Sequence, residues 1–163
     1  MRIRLAIAGG VIGLVCTFGG NAGVGAATAR HEAADACASG ITYGVIPVWA
    51  RSGFTGTPKM HYVLGHGRKV VGLVFAYPLS SPPPPGQGNK ILWVAHTPDA
   101  SGAALHLKAV RMLGTRTVGA SVRRVVAGGP GPSILNLPKP GCWRLTLSWA
   151  ATQDTLDVRY LAG

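Results

Sequence analysis

Pro138-Lys139-Pro140-Gly141-Cys142-Trp143-Arg144-Leu145-Thr146-Leu147-Ser148-Trp149 is the stretch that decides the fold. A Pro/Gly turn runs straight into a segment whose alternate residues, Trp143, Leu145, Leu147 and Trp149, are large and apolar. Between them stand the polar Arg144, Thr146 and Ser148. Successive side chains of an extended chain point to opposite faces, so this alternation sends one face into a core and the other into water. The segment reads as a half-buried antiparallel strand.

The same grammar extends outward in both directions. Leu156, Val158 and Tyr160 alternate with Asp157 and Arg159 in a closing strand. Upstream, strands are expected over 133–137, 120–126, 105–111 and 90–96, with turns at 128–133, 114–119 and 97–102. The run 63–76 contains a turn at Gly65-His66-Gly67 and then a nearly continuous apolar strand. Residues 41–49 favour a strand that Pro47 breaks or pushes to an edge, because proline has no N–H to give the ladder. Pro82-Pro83-Pro84-Pro85 forces polyproline II and reads as a stiff surface connection between two sheets. No helical period of useful length appears. About seven to nine short strands separated by turns make an all-β, antiparallel β-sandwich.

The chain has 163 residues, 16 Lys and Arg against 5 Asp and Glu, and a net charge of +11. It opens with Met1-Arg2-Ile3-Arg4, an apolar stretch, and small residues ending Ala27-Thr28-Ala29. This order is that of a secretory signal peptide, with cleavage expected after Ala29 or, alternatively, after Ala27. The apolar run of about 16 residues is shorter than the roughly 20 that a spanning helix needs. Cys16 invites a lipoprotein reading, but Val15 before it is β-branched and apolar residues continue after it. The expected organisation is a signal peptide over 1–29, a flexible lead-in over 30–40, and a sandwich domain over 41–163. The expected place is secreted or extracytoplasmic, in the cell envelope. Cys37 and Cys142 are the two cysteines beyond the leader. In an oxidising compartment they are expected to form a disulfide.

The segments Asn89-Lys90-Ile91-Leu92-Trp93-Val94, Gly131-Pro132-Ser133 and Leu137-Pro138-Lys139-Pro140-Gly141-Cys142-Trp143-Arg144-Leu145 resemble a family of small exported bacterial proteins. That family belongs chiefly to high-GC Gram-positive bacteria, with distant lipoprotein relatives in spore-formers. The resemblance covers roughly 37–160 and implies an immunoglobulin-like sandwich outside the membrane. It implies no activity, and no catalytic residue is carried over. The chain departs from the pattern in lacking a clean lipobox and in the stiffness of its proline loop.

Little catalytic chemistry is legible. The five acids are Glu32, Asp35, Asp99, Asp154 and Asp157. Glu32 and Asp35 fall in the lead-in and Asp99 in a turn, while Asp154 and Asp157 are expected to pair with neighbouring arginines, Asp157 with Arg159. No two acids show the opposed roles of a glycosidase pair. Neither a Gly-x-Ser-x-Gly elbow nor a Ser-x-x-Lys motif occurs. The glycine-rich stretch 128–132 lacks a lysine and a following helix, and its prolines remove amide donors. No cofactor or metal is expected. The alternative from another class is a metal-dependent hydrolase built on His96, His106 and Asp99, three ligands being the minimum for a zinc site.

The basic excess is the positive hint. Arg68-Lys69 and Arg123-Arg124 are adjacent pairs, with Lys108 and Arg111 near them in sequence. Such charge attracts anionic wall polymer or a lipid surface. Two successive strand residues face opposite ways, so only one of each pair is expected to join a flat patch. Trp49, beside Arg51, is a further candidate binding residue as an exposed ring platform. Nucleic acid is not expected as the natural partner, since no stacking aromatics alternate with the basic residues. The reading is a monomeric, non-enzymatic envelope module that binds or supports.

Overall fold

The computed structural model describes Cys37, residues 40–97 and residues 102–163. The expected signal peptide with Cys16, almost all of the lead-in, and Asp99 lie outside the described residues. In chain order the strands are β1 Thr42–Val45, β2 Lys59–Leu64, β3 Val70–Val74, β4 Ser80–Ser81 and β5 Lys90–Ala95. They continue with β6 Leu105–Leu113, β7 Arg116–Val126, β8 Pro132–Ile134, β9 Gly141–Trp149 and β10 Thr152–Ala162. They form two five-stranded sheets, ordered β1-β2-β3-β5-β8 and β4-β10-β9-β6-β7. Every pairing is antiparallel except that of β4 with β10.

The sheets pack face to face through the residues whose alternation marks them. Trp143, Leu145, Leu147 and Trp149 of β9 join Leu156, Val158 and Tyr160 of β10 in the main core. Trp93, Ile91, Val70 and Val74 meet them from the opposite sheet. Each fully buried Leu or Val contributes about 1.5–3 kcal/mol relative to exposure. Of the polar tips inside, Trp149 Nε1 has no hydrogen-bond partner among the described residues, and the others are satisfied. Trp93 Nε1 donates to Ser133 Oγ at 2.8 Å, and Trp143 Nε1 to the Lys139 carbonyl at 3.0 Å. Tyr160 donates its hydroxyl to the Leu135 carbonyl. Burial pushes the Tyr160 phenol well above its ordinary value.

The continuous apolar run of β3 has its own cause. Its inner residues enter the main core, while Val71 and Leu73 face outward into a second cluster with Ile46 and Ala50. Residues 46–58 fold over that outer face and include a 3-10 turn, Val48–Ala50. A strand buried on both faces need not alternate. Pro47 ends the strand character expected up to Trp49, so β1 stops at Val45.

β7 is the largest departure from expectation. A turn was expected over 114–119, but the strand already starts at Arg116. The pairing with β6 slips between Ala109 and Arg111. Gly119 has φ +74°, a conformation that suits glycine and accommodates the bulge. The proline loop does connect the two sheets, since β4 before it and β5 after it belong to different ones.

Cys37 and Cys142 form a disulfide with Cα atoms 5.7 Å apart. It lies outside the main core, packed with Met112 and Val110. No helix among the described residues is long and apolar enough to cross a membrane.

Candidate functional site, a cationic stripe across one sheet

Strand register aligns the outward residues of the sheet that contains β9. Arg123 of β7 lies opposite Lys108 of β6. Lys108 lies opposite Thr146 of β9, and Thr146 opposite Thr155 of β10. Residues opposite each other point to the same face, so these four form one row. Three strand spacings of about 4.8 Å make the row about 14 Å wide. At its far end Thr155 Oγ1 is 3.3 Å from His66 Nδ1. The row therefore runs into the β2–β3 turn, which carries Arg68 and Lys69. A neighbouring row holds Val125, His106, Ser148 and Gln153.

Between the rows lies an open depression of about 420 Å³, lined chiefly by His106, Lys108, Arg123, Thr146, Ser148 and Gln153. With Arg124, which also borders it, the lining residues include three cations, two hydroxyls and an amide, and no carboxylate. Like charges placed directly opposite on a sheet cost stability. The Lys108–Arg123 pair is such an arrangement, and a bound anion would relieve it.

The carboxylates lie outside this depression, though Asp157 is near the His66 end of the stripe. Among the described residues the acids are Asp154 and Asp157, and both are buried. Asp154 leaves β10 on the inner side and reaches the β2–β3 turn. Its Oδ1 accepts from Gly67 N and Thr155 N, and its Oδ2 from Lys69 N, each at 2.8 Å. Gly65 makes room for it, since a Cβ there would run into the carboxylate. Asp154 thus ties the turn carrying Arg68 and Lys69 to the opposite sheet, beside the His66 N–H bond to the Thr155 carbonyl at 2.7 Å.

Asp157 corrects a sequence expectation. Its partner is Arg144 on β9 rather than Arg159, with Nε and Nη2 donating to its two oxygens at 2.8 and 2.9 Å. Residues 157 and 144 face each other across the hairpin. A cross-strand neighbour is closer than a residue two along the same strand. The hydrogen bond to Asp157 raises the Arg144 guanidinium above its ordinary value. His66 Nε2 approaches the same carboxylate at 3.5 Å. With both acids engaged and buried, no side-chain carboxylate is exposed among the described residues.

The two basic pairs lie at opposite ends of the row, Arg123-Arg124 on β7 and Arg68-Lys69 in the β2–β3 turn of the other sheet, with β6, β9 and β10 between them. Register puts Arg123 on the outer face and Arg124, opposite Leu107, on the inner one. Lys108 completes the stripe, and sequence reading named it only as a neighbour. Trp49 is half-buried on the second cluster, and one ring face stacks on His96 at 4.8 Å. His96 turns to the outer face of one sheet and His106 to the outer face of the other. The structure does not bring them together, and no group of three metal-ligating side chains occurs among the described residues.

No protein-family model, curated protein or solved structure compared with the chain matches it.

Proposed function

We propose that this protein is an exported, non-enzymatic module of the cell envelope that binds an anionic polymer across the stripe Arg123–Lys108–Thr146–Thr155–His66. The observation that carries the reading is the separation of charge. The described surface exposes its cations, while both described carboxylates are buried in structural work. Export rests on the charged, apolar and small-residue order of 1–29, and fits a disulfide-bonded domain. The sandwich is read as immunoglobulin-like and the molecule as a monomer. A chain of phosphodiesters or carboxylates would lie across the strands, with Lys108 and Arg123 meeting its charges and Thr146, Ser148 and Gln153 its oxygens.

The test is retention on immobilised poly(glycerol phosphate) as salt rises. Screening shortens from about 30 Å at 0.01 M to about 8 Å at 0.15 M, so retention should fall steeply. The Lys108→Ser/Arg123→Ser variant should lose most of it while keeping its unfolding midpoint, because exposed charges add little stability. Salt-insensitive retention, or full retention by the variant, rejects the reading. Intact mass of the secreted form should place its first residue at Arg30 or within a few residues of it.

A further inference from the structure

β7 ends its sheet, and the only strand it pairs with among the described residues is β6. Its other edge presents backbone N–H and C=O groups that no neighbouring described strand takes up. Such an edge is a template for another chain unless it is blunted. The bulge at 119–121 blunts the middle. From Val122 to Val126 the pairing with β6 is regular, from Val122↔Ala109 to Val126↔Leu105.

A groove runs beside this regular stretch on the inner side. It measures about 380 Å³ and is lined by Pro82, Pro83, Leu137 and Pro138 on one wall and by Val122 and Arg124 on the other. A strand added next to β7 would lie about 4.8 Å from it. Its alternate side chains would point to the inner side and so into this groove. The apolar wall suits an aliphatic side chain. Arg124 Nη1 donates to the Arg123 carbonyl at 3.0 Å, so the guanidinium lies along the backbone where a carboxylate of an added strand would meet it.

Charge selects the occupant. Two copies of β7 paired antiparallel over 122–126 would set Arg124 of one against Arg124 of the other, with Arg123 of each close by, and like charges facing across a ladder are destabilising. The same arginines favour an acidic strand. We propose that the free edge of β7 takes an extended, acidic segment of a partner protein as an added strand, with an apolar side chain seated between Pro82–Pro83 and Val122. This mode draws affinity from main-chain bonds and specificity from alternate side chains. It uses Arg124 on the inner side, whereas the polymer stripe uses Arg123 and Lys108 on the outer one.

The probe is a capped peptide of alternating valine and glutamate, added to the full domain with its disulfide intact. Binding is read by anisotropy and by amide exchange of each backbone N–H. The expected result is slowed exchange confined to alternate amides within 122–126. N-methylation of one alternate series of peptide residues should abolish binding, and methylation of the other should be tolerated. Arg124→Glu should weaken the glutamate peptide roughly tenfold and admit a valine–lysine peptide, the sign change expected of a charge contact. Lys108→Ser should change neither, which separates this site from the polymer stripe. Indifference to both methylation series, protection elsewhere, or no binding at about 1 mM peptide overturns the proposal.

Discussion

Asp154→Asn isolates the bond set that fixes the β2–β3 turn to the opposite sheet. Asp154 is buried and accepts three backbone N–H bonds. The best Asn rotamer keeps its oxygen at the Oδ1 position, where it still accepts from Gly67 and Thr155. Its amide nitrogen then faces the Lys69 N–H, donor against donor. A hydrogen bond to a charged group is worth about 1.5–3 kcal/mol, and an unmatched buried donor costs about 1–3 kcal/mol. Because the changed sites share one cavity the two do not add fully, and about 2–4 kcal/mol is expected. For a domain of this size that lowers Tm by roughly 10 °C. Urea and thermal unfolding followed by tryptophan fluorescence measure it, and an unchanged m-value shows that the same transition is compared. A second arm tests the geometry. Gly65→Ala should destabilise the parent because its Cβ overlaps the carboxylate. The same change should cost markedly less in an Asp154→Ala background, a coupling that a double-mutant cycle reads directly. If Asp154→Asn stays within about 0.5 kcal/mol of the parent, the ordinary range for surface changes, the clamp is not what holds the turn.

Three further outcomes are expected. Replacing Cys37 and Cys142 by Ser opens a loop of 105 residues and should cost about 4–5 kcal/mol in the chain-entropy account, seen as a lower urea midpoint. Arg144→Ala leaves the buried Asp157 with His66 beside it. Because the Arg144 side chain is 43% exposed, solvent moderates the loss to about 1–2 kcal/mol, measurable by the same unfolding curves. Tyr160 governs the alkaline limb. Its phenol ionises above its ordinary value when folded, so the unfolded chain releases its proton first. Its contribution is complete below about pH 10 and declines as pH rises beyond it, by at most about 1.4 kcal/mol per unit. Tyr160→Phe should flatten that decline while losing about 1 kcal/mol at neutral pH with the bond to Leu135.

The strands with one dry face are legible in the sequence, as are the apolar β3 and the second half of β7, and what is not legible has causes that particular residues show. β9 and β10 declare themselves because each buries one face against the opposing sheet. The first half of β7 does not, because most of both its faces meets water and nothing forces an alternation on it. There Gly119 looked like part of a turn, yet it accommodates a bulge inside a strand. Cys37 and Cys142 are legible as a pair because they are the two cysteines beyond the expected leader. Asp154 was opaque because the turn amides it holds lie more than 80 residues earlier in sequence. Arg144 and Asp157 could have been matched by counting back from the turn at Ala150-Ala151, since hairpin register fixes which residues face each other. The stripe was half visible. Arg123 and the turn of Arg68 and Lys69 stood out as doublets, but Thr146 and Thr155 joined them only through register.

The disulfide has a mechanical consequence. Tension applied between residue 37 and Gly163 bypasses everything enclosed by the Cys37–Cys142 bond. It enters the sheet at the start of β9 and leaves at the end of β10, which are neighbouring points on one hairpin. The bonds between these strands are then loaded one after another, as in unzipping, and not all at once. Only the 21 residues after Cys142 can lengthen the tether, by about 70 Å at roughly 3.4 Å per residue. Reduction releases six times as many. The bond thus limits extension: what yields under load is the β9–β10 hairpin, with Thr146 and Thr155 of the stripe on it, while residues 37–142 stay closed in one loop.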